Sequence, residues 1–388
     1  WQRIDARYRE SAESLGDTPL RRFVRVTLPL LMPSIITAFV LIFIYCFLSF
    51  GVVLVFGGIQ YSTFEVRIYQ EMYVNLDLVR AAGFAVIQLL FSLVFFLAMS
   101  ATISRFQVRR SSGGRFIEGR LREASRFTRI ALSAYVVFIL LFVLGPILTM
   151  TGRAFLVNGE LSVQHFLALF RPELSTRDIY GVIRSTIPRV IGTSIGLAAL
   201  SGSVTFLAAL ALGLNLRGQR RAGAETFFQL PLGMSIVTMA IGLRLFLQGT
   251  VPPLLLVLIG HVFVTFPLVF RIVRTSVEDL PAGYVESAQS LGAGRWRVLW
   301  EIELPLLKRG LLNAYAYSLA IPFADFTVVL SATRGEVTTF PVAIYRLIGF
   351  RSFDLALALG VIYILICLGL FLWIDSTSYR KGKKEIPT

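Results

Sequence analysis

Eight apolar runs of about twenty residues or more divide this chain, and that length is enough for a helix to cross the hydrocarbon core of a bilayer. They cover 29–56, 81–104, 130–151, 185–214, 228–248, 254–272, 306–332 and 355–374. In lipid every backbone N–H and C=O must be paired inside its own segment, so such runs have almost no alternative to helix. The sequence therefore predicts an all-α polytopic membrane protein with eight transmembrane helices visible. Composition agrees. Of 388 residues, 55% are hydrophobic and 16% charged, with mean hydropathy +0.72, whereas a soluble domain is roughly a quarter charged. A soluble globular protein, a disordered chain and a secreted disulfide scaffold are excluded.

The formal net charge of +15 follows from topology. With residues 1–28 cytoplasmic, the segments on that side are 1–28, 105–129, 215–227, 273–305 and 375–388, and they hold 24 Lys and Arg. The opposite segments, 57–80, 152–183, 249–253 and 333–352, hold 8. A threefold bias is the positive-inside pattern and puts both visible termini in the cytoplasm. Basic loops against anionic lipid account for the charge without any nucleic acid.

Cys46 and Cys367 lie in apolar runs, far apart and outside any CxxC pair. His165 and His261 have no metal-binding spacing. The chain carries neither a phosphate-binding G-x-x-x-x-G-K-[ST] loop nor a G-x-S-x-G elbow. The expectation is no catalytic cluster, no metal site and no cofactor in this chain.

The chain also repeats itself. Residues 8–31 and 284–307 are identical at 12 of 24 positions with a constant offset of 276, including Tyr8/Tyr284, Gly16/Gly292 and Pro29/Pro305. The same offset pairs Phe50 with Phe326, Phe64 with Phe340 and Ile68-Tyr69 with Ile344-Tyr345. One residue is gained near Asp77, so that Asp77-Leu78 meets Asp354-Leu355. Polar identities in register indicate an internal duplication. Six spans separate equivalent points, so the copies share one orientation: two parallel six-helix repeats with a pathway between them. The first copy lacks the four spans that precede its motif. It reads as truncated at its N-terminus by about 150 residues, a full chain having ~535 residues and about twelve spans. The expected domains are 1–104, the C-terminal part of the first repeat; 105–129, a basic cytoplasmic linker; 130–375, the second repeat; and 376–388, a cytoplasmic tail.

Each cytoplasmic copy has one design. A short run of helix formers ends at Gly16 or Gly292, where glycine can take the left-handed conformation that stops a helix. An Arg- and aromatic-bearing stretch follows. Leu28-Pro29 or Leu304-Pro305 is then expected to open the next membrane helix, since proline is tolerated in a first turn. Ser11, Ala12, Ser287 and Ala288 are small enough to let a helix lie close in a partner's groove.

This pattern resembles the EAA motif of the permeases of type I ABC importers, which work with a periplasmic binding protein. The family pattern runs Glu-Ala-Ala, three residues, Gly, then a distal Leu-Pro; here the Ala-Ala core reads Ser-Ala in both copies. The resemblance implies coupling helices, with Glu10, Ser11, Ala12 and Gly16 docking one ATPase subunit and Glu286, Ser287, Ala288 and Gly292 docking a second. Two motifs in one chain resemble the fused permeases of the iron(III) and thiamine branch, as does Asp325-Phe326 with Thr339-Phe340-Pro341 and Ile344-Tyr345. The implied partners are two ATPase copies, a periplasmic or lipid-anchored solute-binding protein and membrane lipid. The implied location is the bacterial inner membrane, and ATP hydrolysis belongs to the separate subunit, so this chain is no enzyme.

Asp325, Arg244 and His261 are the ionisable residues within spans and the candidate pathway residues, because charge is costly in lipid and often lines a cavity. Each has a plainer reading: Arg244, near an outer end, snorkels; His261 is a satisfied core histidine; Asp325 belongs to a buried structural pair. The loops 57–80 and 333–352 are equivalent in the repeat and form natural docking surfaces for a binding protein. Other readings are a permease for another small solute, such as an anion, polyamine or phosphonate, or a secondary transporter with parallel repeats. The latter needs an ionisable site in each half, and Asp325 corresponds to Ser49. A membrane enzyme or scaffold finds no support in a chain without a catalytic cluster.

Overall fold

The computed structural model describes residues 11–57, 61–106, 126–170, 183, 185–216, 227–228, 231, 234–247, 249–333 and 335–379. The chain divides into two compact units, Trp1–Ser49 with Ala82–Leu148, and Phe50–Ala81 with Thr149–Thr388. Glu10 and Tyr8, most of the basic linker (107–125) and the tail from 380 lie outside the described residues.

The helices follow in chain order. They are α1 (Pro19–Arg22), α2 (Leu28–Phe47), α3 (Gly51–Phe56), α4 (Phe64–Tyr73), α5 (Leu78–Phe106), α6 (Arg126–Ala154), α7 (Gln164–Phe170) and α8 (Ile187–Asn215). Then come α9 (Ile236–Leu247), α10 (Pro253–Glu278), α11 (Ala282–Ser290), α12 (Arg295–Val298), α13 (Leu304–Ala324), α14 (Thr327–Ala332), α15 (Phe340–Gly349) and α16 (Phe353–Tyr379). One two-stranded hairpin, Leu156–Val157 with Glu160–Leu161, turns on Asn158 and Gly159, both at positive φ. The Asn-Gly pair is its sequence signal. The protein is all-α in architecture.

Among the described residues five helices are long and apolar enough to cross a membrane: α5, α6, α8, α10 and α16. They correspond to five of the eight expected spans. The other three take a different form. The span expected over 29–56 is α2 and α3, separated at Ser49-Phe50; that expected over 306–332 is α13 and α14, separated at Asp325-Phe326. In the second, Asp325 leaves the helix with φ −73° and ψ 130°. The span expected over 228–248 has as its described helix only the 12 residues of α9, about 18 Å at 1.5 Å per residue and too short to cross alone.

Element boundaries repeat with the offset of 276. α1 corresponds to α12, α2 starts where α13 does, α3 corresponds to α14, and α4 to α15, residue for residue at their ends. Between α1 and α2, and between α12 and α13, lies a π-helical turn, Phe23–Thr27 and Leu299–Glu303. The Leu-Pro pairs open α2 and α13 as expected, with Pro29 and Pro305 in the first turn, and the π-helical turns lead into them without a break. A proline ring collides with the carbonyl four residues back, and the wider turn removes that collision. The Leu28 N–H donates to the Phe23 carbonyl and Leu304 to Leu299, five residues back in each case.

The register changes after α4, in the direction opposite to the one expected. Leu76 (φ 55°) and Arg351 (φ 60°) are the left-handed residues of the two turns. Asp77 then donates to the Glu71 carbonyl and Ser352 to Leu347, and Ala81 and Ala356 donate back to Asp77 and Ser352. Asp77 thus matches Ser352, and the second copy is one residue shorter there. Turn closure, rather than the Asp-Leu match inside the next helix, sets where that helix starts.

In the first unit Phe43 contacts Phe95 at 4.3 Å between ring centroids, and Phe47 lies 6.4 Å from Phe91. Phe138, Leu141 and Phe142 of α6 are exposed, as a helix facing lipid requires. In the second unit α8, α10 and α13 pack on one another around Ala209, Val269, Phe270, Val273 and Leu311. Gly202 allows that approach: a Cβ there would stand 2.5 Å from the Ser318 carbonyl oxygen. α15 packs on α16 and α8 through Phe340, Ala343 and Leu347. The loops expected at 57–80 and 333–352 as docking surfaces are thus largely helices α4 and α15, with Val66, Ile68, Glu71, Phe340, Val342 and Leu347 buried. Their apolar faces turn into the protein, not outward.

Candidate functional site

The repeated motif closes identically in both copies. Gly16 donates to the Glu13 carbonyl and Asp17 to Ala12; Gly292 donates to Gln289 and Ala293 to Ala288. This is the paired hydrogen-bond pattern of a Schellman helix end. It needs a left-handed residue immediately past the helix end, and the two glycines there have φ 80° and 83°. Ala12 and Ala288 are buried at 6% and 9%, whereas Ser11, Glu286 and Ser287 are exposed. The small alanine thus lets the turn sit close against its own chain, while the serine beside it is exposed. Sequence reasoning missed the leucines: Leu15 and Leu291, at equivalent positions, are 86% and 89% exposed. Their signal was present in the repeat, as a conserved apolar residue on a polar turn between two copies.

The three ionisable pathway candidates meet around one element. α14 is six residues long, with Val328 to Ala332 buried. At its start the Asp325 Oδ2 accepts the N–H groups of Val328 (2.9 Å) and Val329 (3.3 Å). At its end Arg244 Nη1 donates to the Ala332 carbonyl at 2.9 Å. An anion at a helix N-terminus and a cation at its C-terminus are the favourable placements. Arg244 is 8% exposed, so it does not snorkel; it saturates a buried helix end, with the Glu336 carboxylate 4.0 Å away. His261, 1% exposed, has its Nε2 3.3 Å from the same Asp325 oxygen. Its Nδ1 is buried without a partner. The structure brings His261 and Asp325 together and holds Arg244 at the far end of the helix.

The equivalent helix α3 has no buried residue. Near it lies a second feature that sequence reasoning did not single out. Phe50 and Phe326 stack at 5.9 Å and 26°, flanked by Tyr69 on Phe50 (5.3 Å, 64°) and Tyr345 on Phe326 (5.2 Å, 65°). Glu65, also unanticipated, is 1% exposed and accepts a hydrogen bond from Ser235 Oγ at 2.8 Å. Among the described residues no group of three or more His, Cys, Asp or Glu is placed to hold a metal ion.

A family model for the inner membrane component of binding-protein-dependent transport systems matches residues 2–110 and 204–380, most of the chain. The chain belongs to this family. Among the relatives of this inner membrane component is the thiamine transport system permease protein of Haemophilus influenzae, 28% identical over 372 residues, or 92% of this chain and 64% of that protein. The thiamine transport system permease protein of Salmonella typhimurium is 30% identical over 98% of this chain and 69% of its own length. The chain thus spans about two thirds of the length of the curated relatives it matches. The fold is similar to that of a bacterial ABC transporter involved in import of alginate, with a TM-score of 0.52 and 19% identity over 66% of this chain and 96% of that chain. As an inner membrane component with five described helices of spanning length and composition, this is a multi-pass membrane protein.

Proposed function

We propose that this chain is the permease part of an ATP-driven importer that takes a thiamine-like solute from a binding protein outside the cytoplasmic membrane of a bacterium. The observation that carries the proposal is the pair of identical Schellman-terminated turns, 276 residues apart, each with an exposed leucine beside its glycine. Two such turns in one chain suit two copies of one ATPase. The solute rests on the thiamine permeases among the relatives.

In this reading Glu10, Ser11, Gly16 and Leu15 meet one ATPase subunit, and Glu286, Ser287, Gly292 and Leu291 meet the other. Ala12 and Ala288 act from beneath, seating each turn. ATP-driven closure of the two ATPase subunits pulls the turns together and switches the pathway outward, where the binding protein delivers solute. The repeats are parallel, occupying 1–104 and 130–375 with the linker 105–129 between them and the tail 376–388 after them. Both visible ends lie in the cytoplasm, where the Lys and Arg excess is found.

Co-purification with the ATPase tests this. Glu10→Arg with Glu286→Arg in the full-length permease is expected to abolish both ATPase retention and ATP-driven thiamine uptake in vesicles. Retention and uptake at the parental level would refute the coupling role. Uptake that is ATP-driven but indifferent to thiamine would refute the solute alone.

A further inference from the structure

Phe50 and Phe326 occupy the same position of the two copies, and they touch. When two symmetry-equivalent residues are in contact, the contact lies on the axis that relates the copies, as in any isologous interface. The flanking rings obey the same relation: Tyr69 meets Phe50 and Tyr345 meets Phe326 in edge-on contacts that agree within 0.1 Å and 1°. The four rings therefore form a symmetric row across that axis.

Both phenylalanines stand at helix breaks, with φ/ψ of −102°/−62° and −108°/−38°. Interrupted membrane helices are tolerated where their backbone is buried in protein or lines a water-filled cavity. In parallel-repeat transporters the pathway runs between the halves along their axis. Phe50 is 3% exposed, while Tyr69, Phe326 and Tyr345 are half-buried, so the centre of the row is packed and its flanks face open space. Gly51 contributes to that packing, since a Cβ there would lie 3.2 Å from Phe326 Cδ1. Asp325, the residue before Phe326, is anchored to α14 and near His261, which holds that side of the row in place.

We propose that the Phe50–Phe326 stack, braced by Tyr69 and Tyr345, is the constriction that closes the solute pathway in this conformation. The proposal rests on the importer reading above. Transport then requires the two rings to part once per cycle, and a covalent tie between these positions stops it.

The test places cysteines at both positions (Phe50→Cys, Phe326→Cys) in a full-length permease whose other cysteines, Cys46 and Cys367 among them, are replaced by alanine. It is made in vesicles with the ATPase and solute-binding protein, using a short bis-methanethiosulfonate crosslinker. The pair is expected to crosslink without nucleotide and to be protected at least tenfold after vanadate trapping with MgATP and binding protein. Crosslinked vesicles are expected to lose at least nine-tenths of ATP-driven thiamine uptake and to regain it with reductant. No crosslink at rest, equal crosslinking after trapping, or uptake by crosslinked protein overturns the proposal. The cysteine-free parent separates the two readings. If its ATP hydrolysis does not respond to binding protein, the importer reading fails and the constriction falls with it. If it responds and the cysteine pair is indifferent, the constriction alone fails.

Discussion

Asp325 and Arg244 hold opposite ends of one buried six-residue helix, the carboxylate taking the N–H of Val328 and the guanidinium giving to the carbonyl of Ala332. A helix this short has almost no intrinsic stability. Most of its backbone groups are terminal groups, and in a buried setting each must find a partner. Two charges that read as candidates for solute contact are therefore first of all the means by which a broken membrane helix is kept.

Removing the start of that helix should be measurable. Asp325→Ala deprives Val328 of its acceptor, and such a cap contributes about 0.5–2 kcal/mol. Asp325→Asn retains an oxygen in the same place. Thermal unfolding in detergent should show the alanine variant melting well below the asparagine variant. Equal melting of the two would mean that charge opposite His261, not the cap, is what Asp325 supplies.

The other end gives an independent test. Arg244→Met keeps the apolar stem and removes the donor, and a buried carbonyl left unpaired costs about 1–3 kcal/mol. The melting temperature should fall. Arg244→Lys should recover part of the loss; a neutral Arg244→Met would show that the guanidinium is dispensable to α14.

At the motif turns, Gly292→Ala forces a side chain into a left-handed conformation at a cost of about 1–2 kcal/mol, whereas Gly292→Asn is better tolerated there. ATPase co-purification should weaken several-fold for alanine and less for asparagine. Gly16 should behave in the same way, because its φ and its hydrogen bonds match.

Leu291 separates docking from folding. At 89% exposure its replacement by serine should change stability by no more than about 0.5 kcal/mol. ATPase retention should nevertheless drop, and further when Leu15→Ser is added. Unchanged retention in the double variant would remove the leucines from the contact.

Helix packing around α8 provides a steric comparison. Gly202→Ala puts a methyl 2.5 Å from a backbone oxygen of α13, while Gly196, on the same helix, has nothing within 4 Å of its position. Overpacking of this kind costs about 1–3 kcal/mol. Unfolding midpoints should therefore fall for Gly202→Ala and hold or rise for Gly196→Ala.

Membrane class, the repeat and the motif turns were legible because each depends on information within a few residues or on averages over twenty. Apolar run length marks helices that cross lipid. The spacing of Gly16 and Gly292 from their small residues marks the turn, since only glycine reaches φ near 80° at little cost. The 276-residue offset carried over to the helix ends themselves. What failed were readings that treated hydropathy as continuity: Leu28–Phe47 and Gly51–Phe56 form one apolar run but two helices. The same reading made α4 and α15 into surface loops.

By itself, then, the sequence determined the kind of solvent this chain folds in, the 276-residue spacing of its matching segments and the conformation of the two motif turns. Only the tertiary structure decided which groups meet: His261 with Asp325 across 64 positions, Arg244 with Ala332 across 88, Phe50 with its own counterpart Phe326. The reason is physical. Local conformation is set by neighbours along the chain, but a buried charge or ring takes whatever partner helix packing brings within reach, and in a low-dielectric interior it cannot be left without one.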